Sequence, residues 1–265
     1  MTQSANFPIG IFDSGVGGTS IWKEIVTLLP NENTIYLADS KNAPYGEKSK
    51  DEIIELSVKN TEFLLNQNCK IIVVACNTAT TNAIKTLRQK YAVPFIGIEP
   101  AIKPAALSTK TNVVGILATK GTLNSELFEA TSSLFKSHIT IKEIVGKGLV
   151  DLIEAGKMNS PEMTILLESY LQPMLAQNVD CLVLGCTHYP YLIPQIRKIV
   201  GEKMQIIDSG LAVAKQTKAI LEKNNLLQLA NKPGNHLLFS NSDCKVLEML
   251  VGNEIAFTEI KSRDF

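Results

Sequence analysis

Cys76 and Cys186 each close an apolar, strand-like run and are followed at once by small hydrogen-bonding residues. One segment reads Ile71-Ile72-Val73-Val74-Ala75-Cys76-Asn77-Thr78, the other Cys181-Leu182-Val183-Leu184-Gly185-Cys186-Thr187-His188, and they align residue for residue at an offset of 110. A fully buried parallel strand that ends in a reactive side chain, with the next residues opening a helix, is where open α/β sheets bind ligands. Amides at the start of such a helix favour the thiolate, the form of cysteine that acts as a base or nucleophile. A duplicated unit would bring two such strand ends face to face across a cleft. That arrangement suits removal of a proton from one face of a carbon and return of a proton to the other.

The elements that must position these thiols repeat as well. Ile9-Gly10-Ile11-Phe12-Asp13-Ser14 matches Val114-Gly115-Ile116-Leu117-Ala118-Thr119 at an offset of 105, again a strand ending in a hydroxyl residue, and Phe95-Ile96-Gly97-Ile98-Glu99 answers Gln205-Ile206-Ile207-Asp208. Helical periodicity fits Gly18 to Leu29, Lys50 to Asn68, Thr78 to Tyr91, Gly121 to Phe135, Ser160 to Asn178, Pro190 to Val200, Ala212 to Asn224 and Asp243 to Leu250. Further strands fit Thr34 to Ala38, Ile139 to Ile144 and Leu237 to Ser240. Such βαβ alternation predicts an α/β protein of two similar domains, each a parallel sheet flanked by helices, related by a pseudo-twofold with the site in the cleft between them. The expected division is residues 1–98 plus 209–265 as the first domain and 99–208 as the second.

Composition removes several function classes. Basic and acidic residues balance at 26 each in 265 residues, so no basic surface argues for nucleic acid or an anionic membrane. The arginines are Arg88, Arg197 and Arg263, none beside the motifs above, which argues against a bidentate clamp on a substrate carboxylate. Residues 1–8 lack the charged start and apolar stretch of a signal peptide, and no run approaches the ~18 to 20 apolar residues of a membrane helix. Five widely spread cysteines without C-x-x-C spacing read as reduced thiols of a cytoplasmic protein with no metal site. Cys69, Cys181 and Cys244 read as small core residues. His138 and His236 read as structural, His188 as a helix cap or a site residue, and Glu154 as a surface-helix acid with little weight unaided.

The turn Asp13-Ser14-Gly15-Val16-Gly17-Gly18 follows a strand, opens a helix, and has Asp39 about 20 residues on, as a dinucleotide site would. Its pattern lacks the third glycine, and no Gly-Lys-Ser/Thr is present. A nucleotide site, a plain strand-to-helix turn, and a helix N-terminus whose amides bind a substrate carboxylate all remain open readings.

Taken together, Ile11-Phe12-Asp13-Ser14-Gly15-Val16-Gly17-Gly18, Ala43-Pro44-Tyr45-Gly46, Ala75-Cys76-Asn77-Thr78-Ala79, Gly97-Ile98-Glu99-Pro100-Ala101 and Leu184-Gly185-Cys186-Thr187-His188-Tyr189-Pro190 resemble the glutamate racemase family, cofactor-independent enzymes that supply D-glutamate for peptidoglycan. The resemblance runs from about residue 9 to 210. Departures are small: Asn42-Ala43 stands where many members carry an arginine, and Thr80-Thr81 replaces smaller residues. The long N-terminal extension of members activated by a cell-wall precursor has no counterpart in these residues, so the resemblance does not extend to that form of regulation.

The resemblance implies racemisation of glutamate by a two-cysteine, two-base mechanism, Cys76 taking the proton from D-glutamate and Cys186 from L-glutamate. Asp13 would assist the first thiol, Glu154 and His188 the second. Substrate would be held by Asp13, Ser14, Pro44, Tyr45, Gly46, Asn77, Thr78, Thr119, Thr122, Thr187 and His188, neutral donors in the main, which fits the scarcity of arginine. It implies no metal or cofactor, glutamate as the small-molecule partner, a homodimer, and cytoplasmic location. An aspartate or other amino-acid racemase is the competing reading, since a thiol pair does not encode side-chain length. A non-catalytic amino-acid-binding regulator would not need matched thiols, and a decarboxylase relative would need only one.

Overall fold

Runs such as Ile9–Asp13 and Ile71–Val74 are apolar on both faces, so they can be buried only with helices packed above and below them. A computed structural model of the chain, which describes residues 4–265, shows this arrangement twice. The strands are β1 (Ile9–Asp13), β2 (Thr34–Ala38), β3 (Ile71–Val74), β4 (Phe95–Gly97), β5 (Val113–Ala118), β6 (Thr140–Val145), β7 (Cys181–Gly185), β8 (Gln205–Ile207), β9 (His236–Ser240) and β10 (Thr258–Ser262). They form a six-stranded sheet in the order β10-β9-β2-β1-β3-β4 and a four-stranded sheet in the order β6-β5-β7-β8. Every pairing is parallel. The order β2-β1-β3-β4 thus recurs as β6-β5-β7-β8, and the repeat seen in the sequence is a repeat of topology. No helix among the described residues is long and apolar enough to cross a membrane.

Local chemistry explains most helix boundaries. Ser49 and Glu52 form a reciprocal capping box at the start of the helix Lys50–Asn66. Ser160 caps Pro161–Ala176, with proline in the first turn where its missing N–H costs nothing. The stretch expected as one helix from Gly121 to Phe135 is two, Lys120–Leu123 and Glu126–Ser133, because the Ser125 hydroxyl accepts the Phe128 N–H at 3.2 Å and starts a new helix. The stretch from Pro190 begins as a tight turn, Tyr189–Leu192, before the helix Ile193–Val200. The helices Ile102–Ser108 and Leu149–Glu154 lie outside the sequence-predicted set. So does β10, whose Thr-Glu-Ile-Lys-Ser is a mostly exposed edge strand. At six or seven residues such helices are too short to display a period. Cys69 and Cys181 are buried as expected, whereas Cys244 is only half-buried at the start of the helix Lys245–Val251, so it is not a core residue.

The two layers are joined through apolar packing. One core cluster takes Ile11, Ile21 and Trp22 from the first sheet's side and Leu149, Ile153, Leu184 and Tyr189 from the second's. Contact of this kind holds the carboxyl ends of both sheets against each other.

Candidate active site

In the first sheet β2 and β3 flank β1 on opposite sides, so the chain reverses direction between β1 and β3, and a crevice opens beyond their carboxyl ends. Asp13 ends β1, and Cys76 follows β3. In the second sheet β5 and β7 stand in the same relation, with Thr119 following β5 and Cys186 following β7. The two crevices meet. Ser14, Pro44, Tyr45, Gly46, Cys76, Asn77, Thr78, Thr119, Cys186, Thr187 and His188 line one cavity, while Asp13, Thr122 and Glu154 stand behind its walls. Val150 also lines it and is absent from the sequence-derived set. The cavity has only about 10 Å³ of room for the centres of water-sized molecules. That is roughly one water's worth, too little for an amino acid in this closed form. A vestibule of about 320 Å³ adjoins it, with Lys120, Lys147 and Asp151 in its wall.

The first thiol sits at the N-cap of the helix Asn77–Lys90, where Cys76 Sγ accepts the Ala79 N–H at 3.4 Å. It donates to Ser14 Oγ at 3.5 Å, and Ser14 in turn donates to Asp13 Oδ1 at 3.4 Å. Burial pushes the Cys76 thiol well up and the neighbouring Asp13 charge adds to this, outweighing the bonds from Ser14 and Ala79. Asp13 is itself fully buried. Its Oδ2 accepts the Gly18 N–H at 2.7 Å, and its Oδ1 accepts the Thr187 hydroxyl, 174 residues away, at 3.4 Å.

The second thiol has a different partner. Cys186 Sγ lies 3.7 Å from His188 Nδ1, and His188 Nε2 lies 2.6 Å from Glu154 Oε1. Burial alone would lower the His188 pKa, but the bonds and charges of Cys186 and Glu154 outweigh it and raise it well above the usual imidazole range. A cationic imidazole beside a sulfur is the partner a thiolate needs. His188 makes no side-chain cap, so the helix-capping reading fails. Glu154 is not a solvated surface acid either. Its Oε1 also accepts the Val16 N–H at 2.7 Å, and its Oε2 accepts the Ser40 hydroxyl at 2.9 Å. Ser40 and the Val16 amide are site groups that sequence reasoning missed, since their partner lies more than a hundred residues away.

Between the thiols the lining is neutral. Thr78 Oγ1 is 2.8 Å from Thr119 Oγ1 and 3.3 Å from Thr122 Oγ1, a hydroxyl cluster drawn from both halves. Asn77 is buried, and both polar atoms of its side chain lack a protein partner. An amide left unpaired at a cavity wall is costly unless a ligand completes it. The segment Pro44-Tyr45-Gly46 is held by Asp39, which accepts hydrogen bonds from the Tyr45 hydroxyl and, at 2.8 Å, from Asn42. Arg88, Arg197 and Arg263 bond or stack elsewhere, on the Phe95 carbonyl, on the Gly201 and Met204 carbonyls, and over Phe63 and Phe239. His236 is a structural histidine, bonded to Thr34 Oγ1 at 3.0 Å. Among the described residues no group of three or more His, Cys, Asp or Glu side chains is placed to hold a metal.

The glycine-rich turn is neither a nucleotide cradle nor a plain turn. Asp39 is engaged by Tyr45 and Asn42, and the amides of Val16 and Gly18 serve Glu154 and Asp13. The glycines make room for the other half: a Cβ on Gly15 would collide with the Glu154 carboxylate, and one on Gly17 with the His188 ring. A Cβ on Gly18 would sit 2.6 Å from Asp13 Cβ.

Burial, partly offset by His188, raises the Asp13 pKa from 3.8 to about 6. The folded protein therefore holds this proton more tightly than the unfolded chain, and stability falls as pH rises from about 4 to about 6. Above that the buried charge costs about 3 kcal/mol. Asp13→Asn should accordingly raise Tm at pH 7 while lowering activity, and the gain in Tm should disappear as pH is lowered towards 4. Thermal melts of both proteins across that range test this. A variant less stable than wild type at pH 7 would contradict it.

Comparison with known proteins places this geometry. The sequence profile of the family described as Asp/Glu/Hydantoin racemase matches residues 9–217. Glutamate racemase of Ectopseudomonas mendocina is 46% identical over 260 residues, covering 96% of this chain and 98% of that protein. The crystal structure of glutamate racemase from Francisella tularensis in complex with D-glutamate superposes with a TM-score of 0.83 at 31% identity, covering 97% of this chain and 98% of that one. That of Escherichia coli glutamate racemase in complex with L-glutamate and the activator UDP-MurNAc-ala superposes with a TM-score of 0.85 at 33% identity over the same shares of each chain.

Proposed function

The chain belongs to the Asp/Glu/hydantoin racemase family, and from that premise we propose that it interconverts L- and D-glutamate for peptidoglycan synthesis by a two-base reaction between Cys76 and Cys186. The observation that carries this reading is the pair of thiols following equivalent strands of two sheets and lining one cavity. One sulfur, as thiolate, takes the Cα proton. The other, as thiol, delivers a proton to the opposite face, so the C–H bond broken on one side is replaced on the other without net oxidation. Cys76 serves D-glutamate and Cys186 serves L-glutamate.

Each thiol needs a group that accepts its proton before turnover. For Cys76 the route is through the Ser14 hydroxyl to Asp13, whose raised pKa makes it a better acceptor than an ordinary carboxylate. For Cys186 it is His188, held by Glu154. The carbanion-like transition state and the two substrate carboxylates are held by neutral donors, namely Asn77, Thr78, Thr119, Thr122, Thr187 and the segment from Pro44 to Gly46, with Ser14. Preorganised dipoles in a closed, water-poor cavity are stronger there than in bulk solvent. The unpaired Asn77 amide supports this assignment.

This chemistry needs no metal or organic cofactor, since both proton carriers are side chains. We take residues 1–98 with 209–265 as one domain and 99–208 as the other, with closure between them assembling the site. Five unpaired cysteines suit a reducing cytoplasm. A homodimer is the oligomeric state we assign, and sedimentation equilibrium measures it.

The direct experiment is Cα exchange in deuterated solvent with a panel of L- and D-amino acids. Both glutamate enantiomers should racemise and acquire deuterium, with aspartate slower by about 10²-fold or more because its shorter side chain cannot span both carboxylate subsites. Equal or faster turnover of aspartate would move the assignment to an aspartate racemase.

A further inference from the structure

We propose that Ser40 is a positioning residue for the second thiol: its hydroxyl holds Glu154 in the orientation that receives His188, so that the carboxylate of the chain Cys186–His188–Glu154 is clamped through both oxygens only while the two halves are closed. This rests on the reading that Glu154 and His188 serve Cys186.

Glu154 ends the short helix Leu149–Glu154, and its side chain is 16% exposed, the least protected member of the chain. Its Oε1 takes both the Val16 N–H and His188 Nε2, and its Oε2 takes Ser40 Oγ. A carboxylate turns readily about its last torsion, which has a broad profile. Bonds to one oxygen alone leave the plane of the group free to swing, and a bond to the other oxygen fixes it. Ser40 is well placed to supply that bond. It opens the turn Ser40–Asn42 directly after Asp39, and the turn is tied down by Asn42 to Asp39 and by the Lys41 N–H to Asn241 Oδ1 at 2.9 Å.

Val16 and Ser40 come from the first sheet's half, and Glu154 and His188 from the second's. The Ser40–Glu154 bond spans 114 residues of sequence. Opening the narrow cavity to admit substrate must break both first-half bonds to Glu154 while leaving Glu154 and His188 together on the second half. The orientation of Glu154 therefore reports closure directly to the group that charges Cys186. The other titratable groups facing this pair are Asp13, Cys186 and Tyr36.

The test compares Ser40→Ala and Ser40→Thr with wild type, reading kcat and KM in both directions together with the titration of His188 by NMR of labelled imidazoles. The chain has three histidines, so the His188 signals can be assigned by their loss in His188→Asn. Ser40→Ala should lower kcat/KM about tenfold, equally in both directions and mainly through kcat, and should move the His188 titration to lower pH. Ser40→Thr, which keeps the hydroxyl, should restore both. Wild-type kinetics and titration in Ser40→Ala would overturn the proposal. So would a rate loss with unchanged His188 titration that Thr fails to rescue, since that is the mark of a merely structural residue. Glu154→Gln and His188→Asn separate the proposal from its premise. If neither slows turnover, the assignment of this arm to Cys186 falls, and Ser40 with it. If both do while Ser40→Ala does not, only the role of Ser40 is withdrawn.

Discussion

Cys76→Ala and Cys186→Ala should each abolish racemisation, lowering turnover by roughly 10³-fold or more, whereas Ala at Cys69, Cys181 or Cys244 should leave it within a few-fold. Removing a proton carrier removes its whole contribution to acid–base catalysis. Among the described residues that line the cavity, only Cys76 and Cys186 carry a thiol. The remaining three cysteines are distant in role: Cys69 packs in the apolar layer under the first sheet, Cys181 begins β7 rather than following it, and Cys244 starts a helix near the C-terminus. A second measurement separates loss of chemistry from loss of structure. A single-thiol variant retains one base, so the enantiomer facing that base should still exchange its Cα hydrogen with deuterated solvent without inversion. By the assignment above, Cys186→Ala exchanges D-glutamate and Cys76→Ala exchanges L-glutamate. A folded single-thiol variant that still racemises at a near-normal rate would end the two-base mechanism for this protein.

Gly17→Ala is expected to lower kcat/KM by about 10²-fold with only a small change in Tm. The added Cβ would overlap the His188 ring, coming closest to Nδ1 and within 2.6 Å of both ring carbons bonded to it. The ring cannot yield without leaving Glu154 or Cys186, between which it is held. Gly17 has no left-handed backbone conformation to lose, so the substitution carries no backbone strain and its damage falls on the closed site. Displacement of a catalytic group by about an ångström is enough for a loss of this size. Steady-state kinetics in both directions with a parallel thermal melt check it. Unchanged kinetics would mean that closure of the turn onto His188 is not needed for turnover.

Much of this site is legible in the residues themselves, and the reason is local. Cys76 and Cys186 stand out because each follows a short apolar run, wholly β-branched from Ile71 to Val74, and because a strand end followed by a helix start is a one-dimensional pattern. The sheets were readable for the same reason: β1, β3, β5 and β7 are buried on both faces and need no knowledge of their neighbours. Where local signals were weak, the reading failed. The mostly exposed edge strand β10 and the short helix Leu149–Glu154 carry no usable period, so that Glu154 had weight only through the family resemblance and none from its own stretch of sequence.

The sequence by itself determined the chemistry: two matched thiols, neutral donors after them, and parallel strands to present them. The family resemblance had already paired Asp13 with Cys76 and Glu154 and His188 with Cys186; only the tertiary structure decided through which bonds each carboxylate reaches its thiol, and why a turn rich in glycine precedes the first helix. Asp13 reaches Thr187 across 174 residues, Val16 reaches Glu154 across 138, and Gly17 stays bare because His188 occupies the space its side chain would fill. The physical reason is that periodicity and capping act over a few residues along the chain, whereas hydrogen bonds and steric exclusion act through space. A residue's partner across a cleft leaves no mark on its own stretch of sequence.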